Sequence, residues 1–377
     1  MIKVEYSSLK DMKRNYLKIF PTRDMACKWK KLQQQYPELK CFHFTIEHVL
    51  IGHFHTLASI YETFTKSVLK KHIEIKKYKT KEDKNKGIKQ FYSDIAGIFD
   101  YAKYQPVLSA FFMNPQNGFN ISTCHYCNLS YINAYGMGMY YKNKLEFLNQ
   151  ATKDELQKYI GCIAKNADKI RKKRPYISLN DFNSLPCWRK PNKSDDIQLF
   201  SNNHFDLDHV LDKGACPIIS LALMNFVPSC QICNQRLKHT SLLGHDVKSW
   251  CKLSPTSPLY NFDQNVKIRV MPISHISPVS YIKNSDNFHI IFDCQDGDYQ
   301  HLISLLKLKD RYNYHKIEAL RILDLRQRYQ PTAIFSISKI LHRPALQIYE
   351  DLFGAKFSKE HHRCFDKLKR DILHPNY

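Results

Sequence analysis

The chain has 377 residues, with 57 Lys and Arg against 35 Asp and Glu, a net charge of +22. This length allows two or three domains at ~150 residues each, and a composition of 43% hydrophobic and 13% aromatic residues excludes wholesale disorder. The most apolar run, Pro217 to Val227, falls well short of the ~20 residues that a membrane helix needs and contains Asn225, so no membrane span or membrane partner is expected. Met1 to Asn15 mixes charged and apolar positions and lacks the apolar run of a signal peptide, which predicts a cytoplasmic protein. The positive charge points to a polyanionic partner, nucleic acid ahead of a membrane surface.

Residues 1–100 read as a helical N-terminal region. Phe44, Val49, Leu50, Phe54, Leu57, Ile60, Tyr61 and Phe64 recur at three- and four-residue spacing, an apolar stripe along a helix. Ten lysines follow between Lys66 and Lys89, read as a solvated face ahead of a phosphate-contacting arm. Residues 101–245 form the chemical core, with an insertion at about 142–204. Within it, Tyr131 to Tyr141 reads as a strand broken by Gly136 and Gly138, and Leu145 to Cys162 as helical. Phe205 to Val210 reads as a strand ending in Asp-His, and the stretch from Asn234 as the start of a helix that puts Asn234 and Lys238 on one face. Residues 246–377 open with loops and short strands such as Phe288 to Phe292 and become mostly helical from Gln300.

Twelve cysteines in a reducing compartment are not a disulfide framework. Two pairs have ligand spacing: Cys124-His125-Tyr126-Cys127 and Cys230-Gln231-Ile232-Cys233. Two intervening residues let both sulfurs of a pair face one ion, and two pairs supply a closed four-thiolate shell for structural zinc. The separation is wide, with 102 residues between Cys127 and Cys230. A redox pair would want a strand and helix of a βαβ unit, and the pattern offers none.

Around these pairs stand residues suited to phosphodiester hydrolysis, which needs a base, a charge-neutralising cation and a means of positioning both. His209 is a candidate base. Asp208 and the side-chain carbonyl of Asn234 are hard oxygen donors for a catalytic Mg2+ or Mn2+. Asn225 can fix backbone near His209. Lys238, with Lys213 and Arg236, is a candidate contact to nucleic-acid phosphates. Taken singly, Asp208 reads as a turn cap, His209 as a structural histidine and Asn234 as a helix cap. Their order between the two cysteine pairs favours the chemical reading.

In that order (Cys pair, Asp208-His209, Asn225, Cys pair with Asn234, Lys238) the sequence resembles the HNH (ββα-metal) endonuclease superfamily, in the variant whose last catalytic position is Asn. Further segments extend the likeness: Cys124 to Asn128 with Tyr131-Ile132-Asn133, Pro217 to Cys233, Asp310-Arg311-Tyr312-Asn313 with His315-Lys316, and Lys367 to Leu373. Together they resemble the HNH subunits of Septu-type (PtuB-like) anti-phage systems and related retron effectors, over most of residues 95–377. The resemblance implies an α+β fold: a small ββα-metal HNH core with a four-cysteine zinc site, embedded in mostly helical N- and C-terminal regions. It implies an endonuclease with a divalent cation on Asp208 and Asn234 and His209 as base. The substrate would be DNA ahead of RNA, and an ATPase of the SMC/ABC type (PtuA-like) would be its partner. Asp212 stands where such proteins often have Pro, and the insertion is not part of the minimal unit. Two other readings stay open: a zinc-stabilised nucleic-acid-binding protein without catalysis, and a nuclease directed at RNA such as tRNA.

Overall fold

The computed structural model describes the chain except residues 7, 120–121, 190–191, 274–281, 283, 355–362 and 374–377. Part of the 246–295 stretch read as loops therefore lies outside the described residues. The protein is mixed α+β and mostly helical, with small antiparallel sheets. Among the described residues the strands are β1 (Ala134–Tyr135), β2 (Asn202–Asn203), β3 (Asp206–His209), β4 (Phe226–Ser229), β5 (Lys267–Pro272) and β6 (Phe288–Asp293). They pair as three two-stranded ribbons, β1 with β2, β3 with β4 and β5 with β6. No helix among the described residues is long and apolar enough to cross a membrane.

The chain divides into two compact units. The first comprises Met1–Gln105, Asn120–Ile132 and Phe205–Tyr377; the second comprises Pro106–Phe119 and Asn133–His204. In the first unit the N-terminal stripe is split. Ile46–Ile51 and Phe54–Thr63 are separate helices around Gly52, and a wide turn at Phe64–Val68 leads into the helix Leu69–Lys76. Val49, Leu50, Phe54, Leu57, Ile60, Tyr61 and Phe64 are all buried, so the spacing found the core face although the helix is not continuous. Thr45 and Thr80 cap the helices they precede by accepting from His48 N and Asp83 N. The lysine run lies on the Phe64–Val68 turn, the helix Leu69–Lys76, the turn after it and the helix Lys81–Ala96, and all but the half-buried Lys84 are exposed.

The C-terminal part of this unit packs the β5–β6 ribbon against helices. Asp371, on the helix Asp366–Leu373, accepts from Ile268 N of β5 at 2.7 Å. The Asn313 side chain brackets Ile290 of β6, accepting from its N–H at 2.9 Å and donating to its carbonyl at 2.7 Å. Strand-edge groups are thus met by side chains from neighbouring helices rather than by a third strand.

The second unit has a core of its own, built on Phe147, Leu156, Ala167, Ile170, Tyr176 and Phe182. The stretch read as one helix, Leu145 to Cys162, is two: Lys144–Gln150 and Lys153–Ile160. Thr152 breaks it by forming a capping box with Glu155. The Tyr131 to Tyr141 stretch contains only the two-residue β1, followed by a tight helical turn at Met137–Met139. Trp188 packs on Phe182 at 5.2 Å between ring centroids. Because Phe182 is wholly buried, Phe182→Ala is expected to cost ~3–5 kcal/mol, measured as a lower urea midpoint by tryptophan fluorescence.

Candidate metal centre and the adjoining strand–turn site

The first cysteine pair sits on a tight loop. Cys124 N donates to Ser130 O at 3.0 Å and Asn128 N donates back to Cys124 O at 2.9 Å. Asn128 takes a left-handed conformation (φ 53°), which Asn tolerates better than most residues. The second pair follows β4 directly, with Asn234 N donating to Cys230 O at 3.1 Å. His125 N donates to Pro228 O of β4, so the two loops are tied by backbone as well.

The four sulfurs lie within 4.8 Å of one another, and Cys124, Cys127, Cys230 and Cys233 are all buried. A tetrahedral shell with Zn–S near 2.3 Å needs sulfur–sulfur edges of ~3.8 Å. Cys127 and Cys230 are 4.0 Å apart, which suits a shared ion and is far too long for a disulfide. Four soft donors in a closed, buried shell can hold a metal such as zinc, in the manner of a structural site. The hydrogen bond with Cys124 lowers the Cys127 thiol, while burial raises that of Cys124.

Beside this centre runs β3, whose register pairs Asp206 with Ser229, Asp208 with Val227 and His209 with Phe226. Asp206 and Asp208, two apart, share a face of the strand. That face meets a turn at Ile232–Lys238 that is wound as a π-helix rather than the expected α-helix. Its wide winding is marked by His239 N donating to Asn234 O five residues back. Asn234 and Lys238 both reach the strand. The Asn234 amide donates to Asp206 Oδ2 at 3.2 Å, and Lys238 Nζ donates to Asp208 Oδ1 at 3.1 Å and to His209 O at 2.8 Å. The other Asp208 oxygen accepts from the Tyr126 hydroxyl at 2.5 Å. Burial pushes the Asp208 carboxyl up, and the Lys238 ammonium opposes it.

His209 points to the other side of the strand. Its ring lies against Tyr101 and Phe226, each at 4.7 Å between centroids. Nε2 is 3.0 Å from the Ser220 carbonyl. Burial, with the positive charges of Lys213 and Lys238, pushes the imidazole down to about 3, so the ring is neutral at pH 7. A neutral ring has one N–H. The Ser220 carbonyl can only accept, so that N–H is on Nε2 and Nδ1 keeps its lone pair.

Asn225 is completely buried. Its Oδ1 accepts from Leu211 N at 2.8 Å, and its Nδ2 donates to Leu211 O at 3.0 Å and to Ile219 O at 3.3 Å. It holds closed the loop that carries Ser220, and so acts on His209 through that carbonyl. Asp212, unexpected after the strand, accepts from Gly214 N at 2.9 Å and Ala215 N at 3.2 Å. Its carboxylate turns the loop where a proline would otherwise restrict it.

Three sequence expectations change. Lys238 is not an outward phosphate contact: the ammonium is buried on Asp208, because two carboxylates on one strand face draw a cation inward. Asn234 bonds Asp206 rather than sharing a contact with Asp208. Lys213 is half-buried, with Nζ 3.6 Å from the centroid of the Tyr101 ring. Arg236 alone of the three predicted phosphate contacts is exposed. Sequence reasoning missed Asp206, although its two-residue spacing from Asp208 marked it. It also missed Tyr126 and Ser220, which nothing in the local pattern distinguishes.

Comparison with protein-family models, curated proteins and solved structures matched none of them.

Protein purified without chelator is expected to carry one zinc per chain by elemental analysis. Cys233→Ser should lose the metal and lower the melting temperature. The buried His209 gives a second outcome. Its folded pKa is depressed, so the unfolded chain binds the extra proton between about 3 and ~6.5, and the stability it contributes is present above ~6.5 and lost as the pH falls toward about 3. Melting temperature should fall more steeply over that window in wild type than in His209→Gln.

Proposed function

We propose that this protein is a metal-dependent endonuclease of the HNH (ββα-metal) type, hydrolysing phosphodiester bonds in nucleic acid, DNA ahead of RNA. The observation that carries the reading is the environment of His209. A neutral imidazole is anchored through Nε2 on a carbonyl, its Nδ1 lone pair is free of that anchor, and it stands next to a buried carboxylate on a strand braced by four cysteines. The order β3, β4 and helical turn, with the cysteine cluster at its base, supports the same reading.

In this reading His209 Nδ1 takes the proton from the attacking water. The resulting imidazolium is stabilised by its Nε2–H bond to Ser220 O. A phosphodiester placed near the half-buried Lys213 offsets its positive charge and raises the proton affinity of the ring toward the range useful to a base. Asn225 positions the loop behind it. Asp208, Asn234 and the neighbouring Asp206 would hold a Mg2+ or Mn2+ ion. Their oxygen donors suit a hard cation, which would displace the Lys238 ammonium from Asp208 Oδ1 as it binds. Such an ion stabilises negative charge on the phosphate and the leaving oxygen. Weak sequence preference is expected, because basic side chains read backbone rather than bases. We further propose that the protein acts in the cytosol as the nuclease of an anti-phage system, with an ATPase partner of the SMC/ABC type.

One observation favours a second reading, a zinc-stabilised nucleic-acid-binding protein without catalysis: both Asp208 oxygens already have partners, Tyr126 and Lys238. Cleavage assays on plasmid DNA and on RNA with Mg2+ or Mn2+, with and without the ATPase, separate the two. The nuclease reading expects metal-dependent cleavage that falls ~10²–10⁴-fold in His209→Ala with zinc content unchanged. Equal activity of wild type and variant, or binding without cleavage under every condition, supports the binder instead.

A further inference from the structure

The segment Asp310 to Asn313 stands out in the sequence and has no part in the proposed hydrolysis. Its three last residues reach three different places. Arg311 Nη1 is 3.2 Å from Cys233 Sγ. The wholly buried Tyr312 hydroxyl donates to Cys127 O at 2.8 Å. Asn313 brackets Ile290 of β6. One short helix, Leu308–Tyr314, thus touches both cysteine loops and the ribbon beyond them.

We propose that Arg311 is an outer-sphere partner of a zinc–tetrathiolate centre, lowering its negative charge and setting how tightly the metal is held. Zinc with four thiolates carries two net negative charges. Burying that charge is costly unless a cation or N–H donors face the sulfurs. Two such donors are in place: Leu129 N, 3.4 Å from Cys127 Sγ, and the Arg311 guanidinium on Cys233. A second bond from the same nitrogen, to Leu306 O at 3.3 Å, fixes the guanidinium against the C-cap of the preceding helix, Gly297–Leu305. A basic residue late in a helix also favours the helix dipole, but that effect needs no particular target. Arg311 instead aims at a ligand sulfur from a half-buried position. Guanidinium suits this task better than ammonium because its donors are held in a rigid plane. The inference rests on the four-cysteine centre and is independent of the nuclease reading.

The test compares Arg311→Gln, Arg311→Lys and Tyr312→Phe in the full chain, with Arg321→Gln as a surface control. Arg321 is exposed and pairs with Glu318 at 3.8 Å. Zinc transfer to a chromogenic chelator and the thiolate-to-metal charge-transfer bands of the Co2+-substituted protein are measured. Arg311→Gln is expected to weaken zinc retention ~10–100-fold and to shift the Co2+ bands to lower energy, since the thiolates become more electron-rich. Arg311→Lys should fall between Gln and wild type. Tyr312→Phe should lower the melting temperature while leaving the bands in place. If Arg311→Gln does not fold, the comparison of Arg311→Lys with wild type carries the test. Unchanged zinc transfer and unchanged bands in the folded Arg311 variants would overturn the proposal, as would Tyr312→Phe shifting both readouts as far as they do.

Discussion

Four thiols held within 4.8 Å of one another join two loops separated by 102 residues of chain. Closing a loop of that length costs roughly 4 kcal/mol of chain entropy by length scaling alone, and a metal bound by all four sulfurs is the kind of interaction that offsets it. The geometry of the neighbouring site follows from that closure. Cys127 and Tyr126 belong to one loop, and Tyr126 delivers its hydroxyl to Asp208. Cys230 and Cys233 belong to the other, and the turn that contains Cys233 delivers Asn234 and Lys238 to the same strand face.

The strand–turn site is electrostatically strained in a specific way. Asp208 is buried, which disfavours its charge, and is kept company by a phenol and an ammonium. Lys238 is buried too, and its ammonium is satisfied by one carboxylate oxygen and one backbone carbonyl. Breaking either member would leave an uncompensated buried charge, an expensive state. On the opposite side of the strand the same burial keeps His209 neutral. Alternation along a short strand therefore separates an anionic, cation-holding face from a face bearing an uncharged proton acceptor. In the proposed hydrolysis, base and cation would act from opposite sides of the phosphate.

The C-terminal helices belong to this arrangement. Asn128, directly after the first cysteine pair, accepts from Phe365 N at 2.7 Å through its carbonyl and from Lys367 N at 3.1 Å through Oδ1, and donates to Arg363 O at 2.8 Å. Lys367 in turn holds Asp371, whose other role is to close the edge of β5 at Ile268. A loop of the four-cysteine cluster is thereby continuous, through hydrogen bonds, with the helix Asp366–Leu373. Arg311 and Tyr312 make a parallel connection through the middle of the C-terminal region.

Features set by local spacing were legible in the order of the amino acids alone. Two C-x-x-C pairs announced a four-sulfur cluster, three- and four-residue apolar spacing marked Val49 to Phe64 as core, and alternation identified β3. Asn225, read in sequence as a catalytic-site residue able to fix backbone near His209, makes three hydrogen bonds to backbone groups of Leu211 and Ile219. Features that depend on burial and on partners distant in the chain emerged with folding. Lys238 looks like a surface cation in sequence and becomes an internal counter-ion because Asp208 lies opposite it. Arg311 gives no local hint of facing Cys233, 78 residues away. Burial against Tyr101 and Phe226, with the charges of Lys213 and Lys238, keeps His209 neutral against the pull of the Ser220 carbonyl. Spacing records which side of an element a residue is on; the dielectric and the charges that meet it there are set by the rest of the fold.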